Sequence, residues 1–147
     1  MEFQIRLAKK KDYEQLLKLL RQLNPGDPSF SEIEARVFDE ILQSKYLDLI
    51  VAENDNTLVG SCYLNVIPNI TRGGKPYSVI ENVVTDSSYR KLGIGKAIVS
   101  QALDLSWARG CYKVMLMSGR NKEGVHAFYS KCGFDGNQKR AYVQRSH

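Results

Sequence analysis

One stretch limits the folds open to this chain: Val83-Val84-Thr85-Asp86-Ser87-Ser88-Tyr89-Arg90-Lys91-Leu92-Gly93-Ile94-Gly95-Lys96-Ala97. A β-branched run passes through a polar turn into a basic, glycine-bearing loop at the head of an apolar-periodic segment. Strand, loop and helix thus follow in direct succession. Gly93 and Gly95 carry no Cβ, so their backbone can take unusual dihedrals and approach a ligand closely, while N–H groups of the first helical turn point outward. The helix dipole favours negative charge there, and Arg90, Lys91 and Lys96 add charged donors. The segment reads as an anion-binding loop suited to a phosphate group.

Better-known phosphate loops each lack a part here. A Walker loop needs G-x-x-x-x-G-K-S/T, whereas Gly95-Lys96 is followed by Ala97. A dinucleotide fingerprint needs a third glycine where Ile98 stands. What remains is R-x-x-G-x-G ahead of an amphipathic helix, and it resembles the coenzyme A pyrophosphate loop of the GNAT superfamily of N-acetyltransferases, Q/R-x-x-G-x-G/A. Downstream, after a strand-like Lys113 to Met117, comes Asn121-Lys122-Glu123-Gly124-Val125-His126-Ala127-Phe128-Tyr129-Ser130-Lys131-Cys132-Gly133-Phe134. This second stretch resembles the family's N..A..FYeklGF segment, in the right order and at a spacing that fits one helix and one strand between the motifs. The family's asparagine position falls on Lys122, with Asn121 one place early, so both are candidates for the contact with the pantetheine arm.

Composition bounds the rest. With 147 residues, 43% of them hydrophobic and 25% charged, the chain is expected to fold as one domain spanning residues 1–147. No apolar run of about 18 residues occurs, and Met1-Glu2-Phe3-Gln4 carries no basic-then-apolar signal, so the expectation is no membrane span, no leader and a cytoplasmic protein. Cys62, Cys111 and Cys132 are odd in number, which points to reduced thiols. His126 and His147, the only imidazoles, offer no metal-ligand spacing, and no metal is expected. The net charge of +5 raises nucleic acid as a partner, but a basic ridge of Arg90, Lys91, Lys96 and Lys122 is accounted for by coenzyme phosphates.

Periodicity supplies the remaining elements. Phe3 to Leu7 alternates as a strand, and Asp12 is expected to cap a helix burying Leu16, Leu17, Leu19, Leu20 and Leu23. Ser31-Glu32-Ile33-Glu34 is a capping box for a second helix through Ile41. Leu47 to Glu53 and Thr57 to Val66 flank Asn54-Asp55-Asn56 as a hairpin. Tyr77 to Thr85 reads as the central strand, Leu92 to Arg109 as the longest helix closed by Gly110, and Lys113 to Met117 as the next strand. A short helix from Glu123 to Cys132 ends at Gly133, and Ala141 to Gln144 supplies a final strand. The resemblance implies the fold class, α/β (α+β) with a mixed, mostly antiparallel central sheet and helices on both faces, and the order β-α-α-β-β-β-α-β-α-β-β, most of which periodicity also gives.

The resemblance further implies an enzyme using acetyl-coenzyme A as co-substrate to acetylate a primary amine, here of a small molecule. Coenzyme A would lie between Tyr77–Thr85 and Lys113–Met117, its amides pairing with backbone around Val83, Val84 and Thr85, and its phosphates on Arg90, Lys91, Leu92, Gly93, Ile94, Gly95 and Lys96. The acceptor site would draw on the first two helices, the Asn69–Tyr77 loop and the last strands. A lysine-like amine has a pKa of roughly 10.4, so holding it neutral near pH 7 costs about 4–5 kcal/mol unless a base assists. Glu81 is the candidate base, on the expectation of partial burial within an apolar strand; an ammonium anchor and an exposed strand residue are its rival readings. Tyr129 is the candidate general acid for the leaving thiolate, with core filling as its rival. The reading of a different class is a non-catalytic coenzyme A-binding or nucleic-acid-binding regulator; a homodimer stays open.

Overall fold

A computed structural model describes the whole chain, Met1–His147. It divides into two units, Met1–Met115 and Leu116–His147. The first carries β1 (Gln4–Leu7), α1 (Tyr13–Leu23), α2 (Glu32–Gln43), β2 (Leu47–Asn54), β3 (Thr57–Ile67), β4 (Tyr77–Thr85) and α3 (Ile94–Ala108). β5 (Val114–Leu116) runs across the boundary, and α4 (Glu123–Lys131) belongs to the second unit. The fold is mixed α/β, and its element order is the expected one as far as α4.

The strands lie in the order β1-β2-β3-β4-β5, and β1 to β4 pair antiparallel. Asp55 (φ 47°) and Asn56 (φ 61°) turn the β2–β3 hairpin through two left-handed residues, the requirement of its tight turn. Leu49 to Ala52 of β2 are each at most 3% exposed, so β2 is covered on both faces. On one face Leu49, Val51, Leu58 and Val84 cluster with Leu16, Leu19 and Phe38 of α1 and α2. On the other, Gly60 of β3 meets Ile94 and Ile98 of α3, and the Ser78 and Ser106 hydroxyls bond at 2.7 Å. Gly110 and Gly133 close α3 and α4, donating to Trp107 O and Ser130 O at 3.0 Å. No helix is long and apolar enough to cross a membrane.

Three expectations need correction. Asp12 does not cap α1 with its side chain; it is 2% exposed, and its carboxylate takes Arg6 Nη1 at 2.7 Å and Nη2 at 2.9 Å. A guanidinium fork offers two bonds between opposite charges where a cap offers the carboxylate a single backbone N–H, so the pair wins. β4, read as central, stands fourth of five because the sheet ends at β5. Residues 141–144 form no strand: Tyr142 is 86% and Val143 71% exposed, and alternation without a paired ladder does not make a strand.

Candidate active site

The loop between β4 and α3 is built from Asp86 onward. Asp86 N–H donates to Val59 O at 2.9 Å, and its Oδ1 accepts from Ser88 N–H at 2.9 Å, winding residues Ser87–Tyr89 into one 3-10 turn. Lys91 follows with φ 64°, a left-handed conformation that costs a long side chain of order 1–3 kcal/mol and persists only where its surroundings impose it. Gly93, with φ 85°, heads α3 and has open space within 4 Å of where a Cβ would stand. The α3 ladder then begins with Ala97 N–H to Gly93 O at 3.0 Å, and no side chain caps Gly93. The N–H groups of Ile94, Gly95 and Lys96 therefore face outward from the helix end. Arg90, Lys91 and Lys96 are exposed around them, and Leu92 is 52% exposed. Left-handed turn, outward N–H groups and three cations together fit a phosphate-bearing group. The side chains of Val84 and Ile94, 5% and 1% exposed, belong to the core, so these two residues can offer a ligand only backbone.

Within β4 the ladder to β3 slips. Ser61 pairs with Val84 and Tyr63 with Glu81, so Asn82 and Val83 stand opposite Cys62 alone. Asn82 takes φ 52°, which marks a β-bulge carried by an asparagine instead of a glycine. Its side chain bonds Tyr63, whose hydroxyl burial pushes up in pKa while that bond pulls it the other way. Glu81, beside the bulge, is exposed; the partial burial expected for it is absent. Val83 and Thr85 are half-buried, and Thr85 O receives Arg90 Nε at 3.5 Å.

The second unit holds the other candidates. Tyr129 is half-buried, its ring edge-on to Phe128 at 5.0 Å and to Phe134 at 6.1 Å. Asn121 and Lys122 are exposed just ahead of α4. Lys122 N–H donates to Gly119 O at 3.3 Å, and His126 Nε2 lies 2.8 Å from the same oxygen. His126 thus ties down this turn. Cys62 is buried, which pushes its thiol up to about 12 and removes it as a nucleophile near neutral pH.

Two features escaped sequence reasoning. Asn82 was legible only as one of the residue types that tolerate left-handed backbone. The other is a cluster at the start of β4: Lys113 Nζ lies 5.1 Å from the Tyr77 ring and 5.3 Å from that of Tyr112, and the Arg72 guanidinium lies 5.5 Å from Tyr112. Arg72 (φ 57°) sits in a loop closed by Asn69, whose Nδ2 donates to Thr71 O at 3.0 Å and Lys75 O at 3.1 Å.

Comparison with known proteins bears on this geometry. The sequence profile of the acetyltransferase (GNAT) family matches residues 13–134, drawing on both units. Glucosamine 6-phosphate N-acetyltransferase of Trypanosoma brucei brucei is 31% identical over 140 residues, which cover 95% of this chain and 93% of that protein. A solved protein from Agrobacterium tumefaciens strain C58 is 37% identical, with a TM-score of 0.92 over 97% of this chain and 99% of that one. The structure of glucosamine-6-phosphate N-acetyltransferase from Arabidopsis thaliana is 27% identical, with a TM-score of 0.82 over 100% of this chain and 98% of that one.

Proposed function

This chain belongs to the acetyltransferase (GNAT) family and is an acetyl-coenzyme A-dependent N-acyltransferase, and on that premise we propose that its acceptor is the primary amine of glucosamine 6-phosphate. The observation that carries the proposal is the Trypanosoma relative of that name, matched over 95% of this chain and 93% of its own length. The match to an acetyltransferase family does not favour the non-catalytic regulator. We read residues 1–147 as one catalytic domain. The setting we propose is cytoplasmic, where Cys62, Cys111 and Cys132 would be kept as thiols.

In this proposal the outward N–H groups of Ile94, Gly95 and Lys96, with Arg90, Lys91 and Lys96, hold the coenzyme phosphates, and Leu92 and Gly93 shape the turn. Backbone at Val83, Val84 and Thr85 and side chains at Asn121 and Lys122 serve the pantetheine arm. The bound co-substrate supplies an acetyl thioester with an electrophilic carbonyl carbon. Glu81, being exposed, suits the ammonium-anchor reading better than the base reading that burial would have supported. Water takes the proton the amine sheds as its nitrogen bonds to the acetyl carbon and the C–S bond breaks, and the load is lighter than for lysine because the oxygens on the neighbouring carbons make an amino sugar less basic. Tyr129 gives its proton to the departing thiolate. Arg72, Lys75 and Lys113 offer cations to the acceptor's phosphate.

Thiol release from acetyl-coenzyme A with a panel of glucosamine 6-phosphate, glucosamine, a polyamine and a lysine peptide tests the proposal. The sugar phosphate should give the highest kcat/KM; turnover confined to the polyamine or the peptide would refute it. Tyr129→Phe should keep coenzyme binding and lower kcat by about 10²-fold, the span typical of one positioned proton donor. Full turnover in that variant would return Tyr129 to core filling.

A further inference from the structure

The coenzyme loop is anchored at its entry by a side chain 65 residues away in sequence. Gln22, in the last turn of α1, donates from Nε2 to Asp86 Oδ2 at 2.7 Å and accepts from Ser87 N–H on Oε1 at 2.9 Å. Asp86 spends its other oxygen on Ser88 N–H and its own N–H on Val59 O. A single amide therefore reads both faces of the turn that launches the loop. An open cavity of about 330 Å³ lies beside the clamp, lined by Gln15, Lys18, Gln22, Leu58 and Asp86. The clamp thus supplies, on that side, a fixed contact where close packing is missing.

We propose that Gln22 is a positioning residue: through Asp86 and Ser87 it sets the loop so that the outward N–H groups at the head of α3 meet the coenzyme phosphates. Its role on this proposal runs through its bonds to Asp86 and Ser87. Lys91 and Gly93 hold left-handed backbone a few residues on, so a shift at Asp86 is passed into the turn they make. The proposal rests on the reading of this loop as the coenzyme site.

Isothermal titration with coenzyme A alone, without acceptor, tests it on the full chain as wild type, Gln22→Glu, Asp86→Asn and the double variant. Gln22→Glu keeps the acceptor for Ser87 N–H but sets two carboxylates face to face. Asp86→Asn sets amide against amide and leaves one donor unmatched. The double variant exchanges the two groups, so the amide now at position 86 donates to the carboxylate now at position 22. That carboxylate's second oxygen takes Ser87 N–H, and the carbonyl oxygen of the new amide still takes Ser88 N–H. Each single variant should raise the Kd for coenzyme A about fivefold to tenfold, the worth of about one net hydrogen bond. The double variant should return to within about twofold of wild type, since a swapped pair in contact is strongly non-additive. Singles that bind like wild type, or a double variant whose loss is the product of the two single losses, would overturn the clamp alone. A wild-type chain that does not bind coenzyme A would overturn the loop reading and the clamp with it.

Discussion

Arg6 holds two carboxylates at once, Asp12 at 2.7 Å and 2.9 Å and Glu53 at 2.6 Å, and joins β1 to the start of α1 and to β2. Burial pushes the Asp12 carboxyl up, but the Arg6 guanidinium and the Lys9 N–H together outweigh it and hold the group below the usual carboxylate range. A depressed value in the folded state means that its stabilisation is present above the unfolded value of about 3.9 and is lost as pH falls through the folded one. Arg6→Ala leaves Asp12 buried without its partner, so at about pH 7 it should cost roughly 3–5 kcal/mol. The deficit should shrink as pH falls, first above about 4, where burial unopposed by Arg6 makes the lone carboxyl take up its proton early, and further below it as the wild-type pair loses its stabilisation. Denaturant unfolding of both proteins across that range checks this, and a deficit constant with pH would contradict it. At Glu81 the exposed setting predicts a different signature. Glu81→Gln should raise KM for the acceptor where the amine is charged and leave kcat nearly unchanged. A fall in kcat rescued at high pH would instead restore the base reading.

Elements carry the site through packing as much as through chemistry. A Cβ at Gly60 would stand 2.7 Å from Ile98 Cδ1, 3.0 Å from Ile94 Cγ2 and 3.1 Å from Val84 O. Both isoleucines are at most 1% exposed and have nowhere to go. Gly60→Ala should therefore cost about 1–3 kcal/mol of stability. It should also weaken coenzyme binding, since Ile94 is the first residue of α3; unchanged stability and unchanged Kd would contradict this account of the β3–α3 contact. Much of this framework was legible: Ser31 and Glu34 make their capping box, Asn54-Asp55-Asn56 makes its hairpin, and the glycine loop opens α3. What stayed hidden has a common physical cause. Asp12 and Arg6, Gln22 and Asp86, and Tyr63 and Asn82 choose one another across the fold, and local pattern carries no trace of partners brought together by pairing and burial. The unformed strand at residues 141–144 is the converse case, a local alternation to which no ladder answers.

At the scale of the whole molecule, charge and family membership point the same way. The net charge of +5 suits ligands that bring phosphate on both sides of the reaction. Strands β1 to β4 and the loop at the head of α3 belong to residues 1–115, and Tyr129 to residues 116–147, while the family match runs across both. We propose that this acetyltransferase works on an amino sugar phosphate, with Arg72, Lys75 and Lys113 meeting the phosphate. It is tested most directly by kcat/KM for glucosamine 6-phosphate against glucosamine, read as equal amounts of released thiol and N-acetylated sugar. A charge-assisted hydrogen bond is worth about 1.5–3 kcal/mol, so the phosphorylated sugar should be preferred by about tenfold to a hundredfold, and Arg72→Ala should erase much of that preference. Equal kcat/KM for the two sugars, or no product from either, would contradict the account.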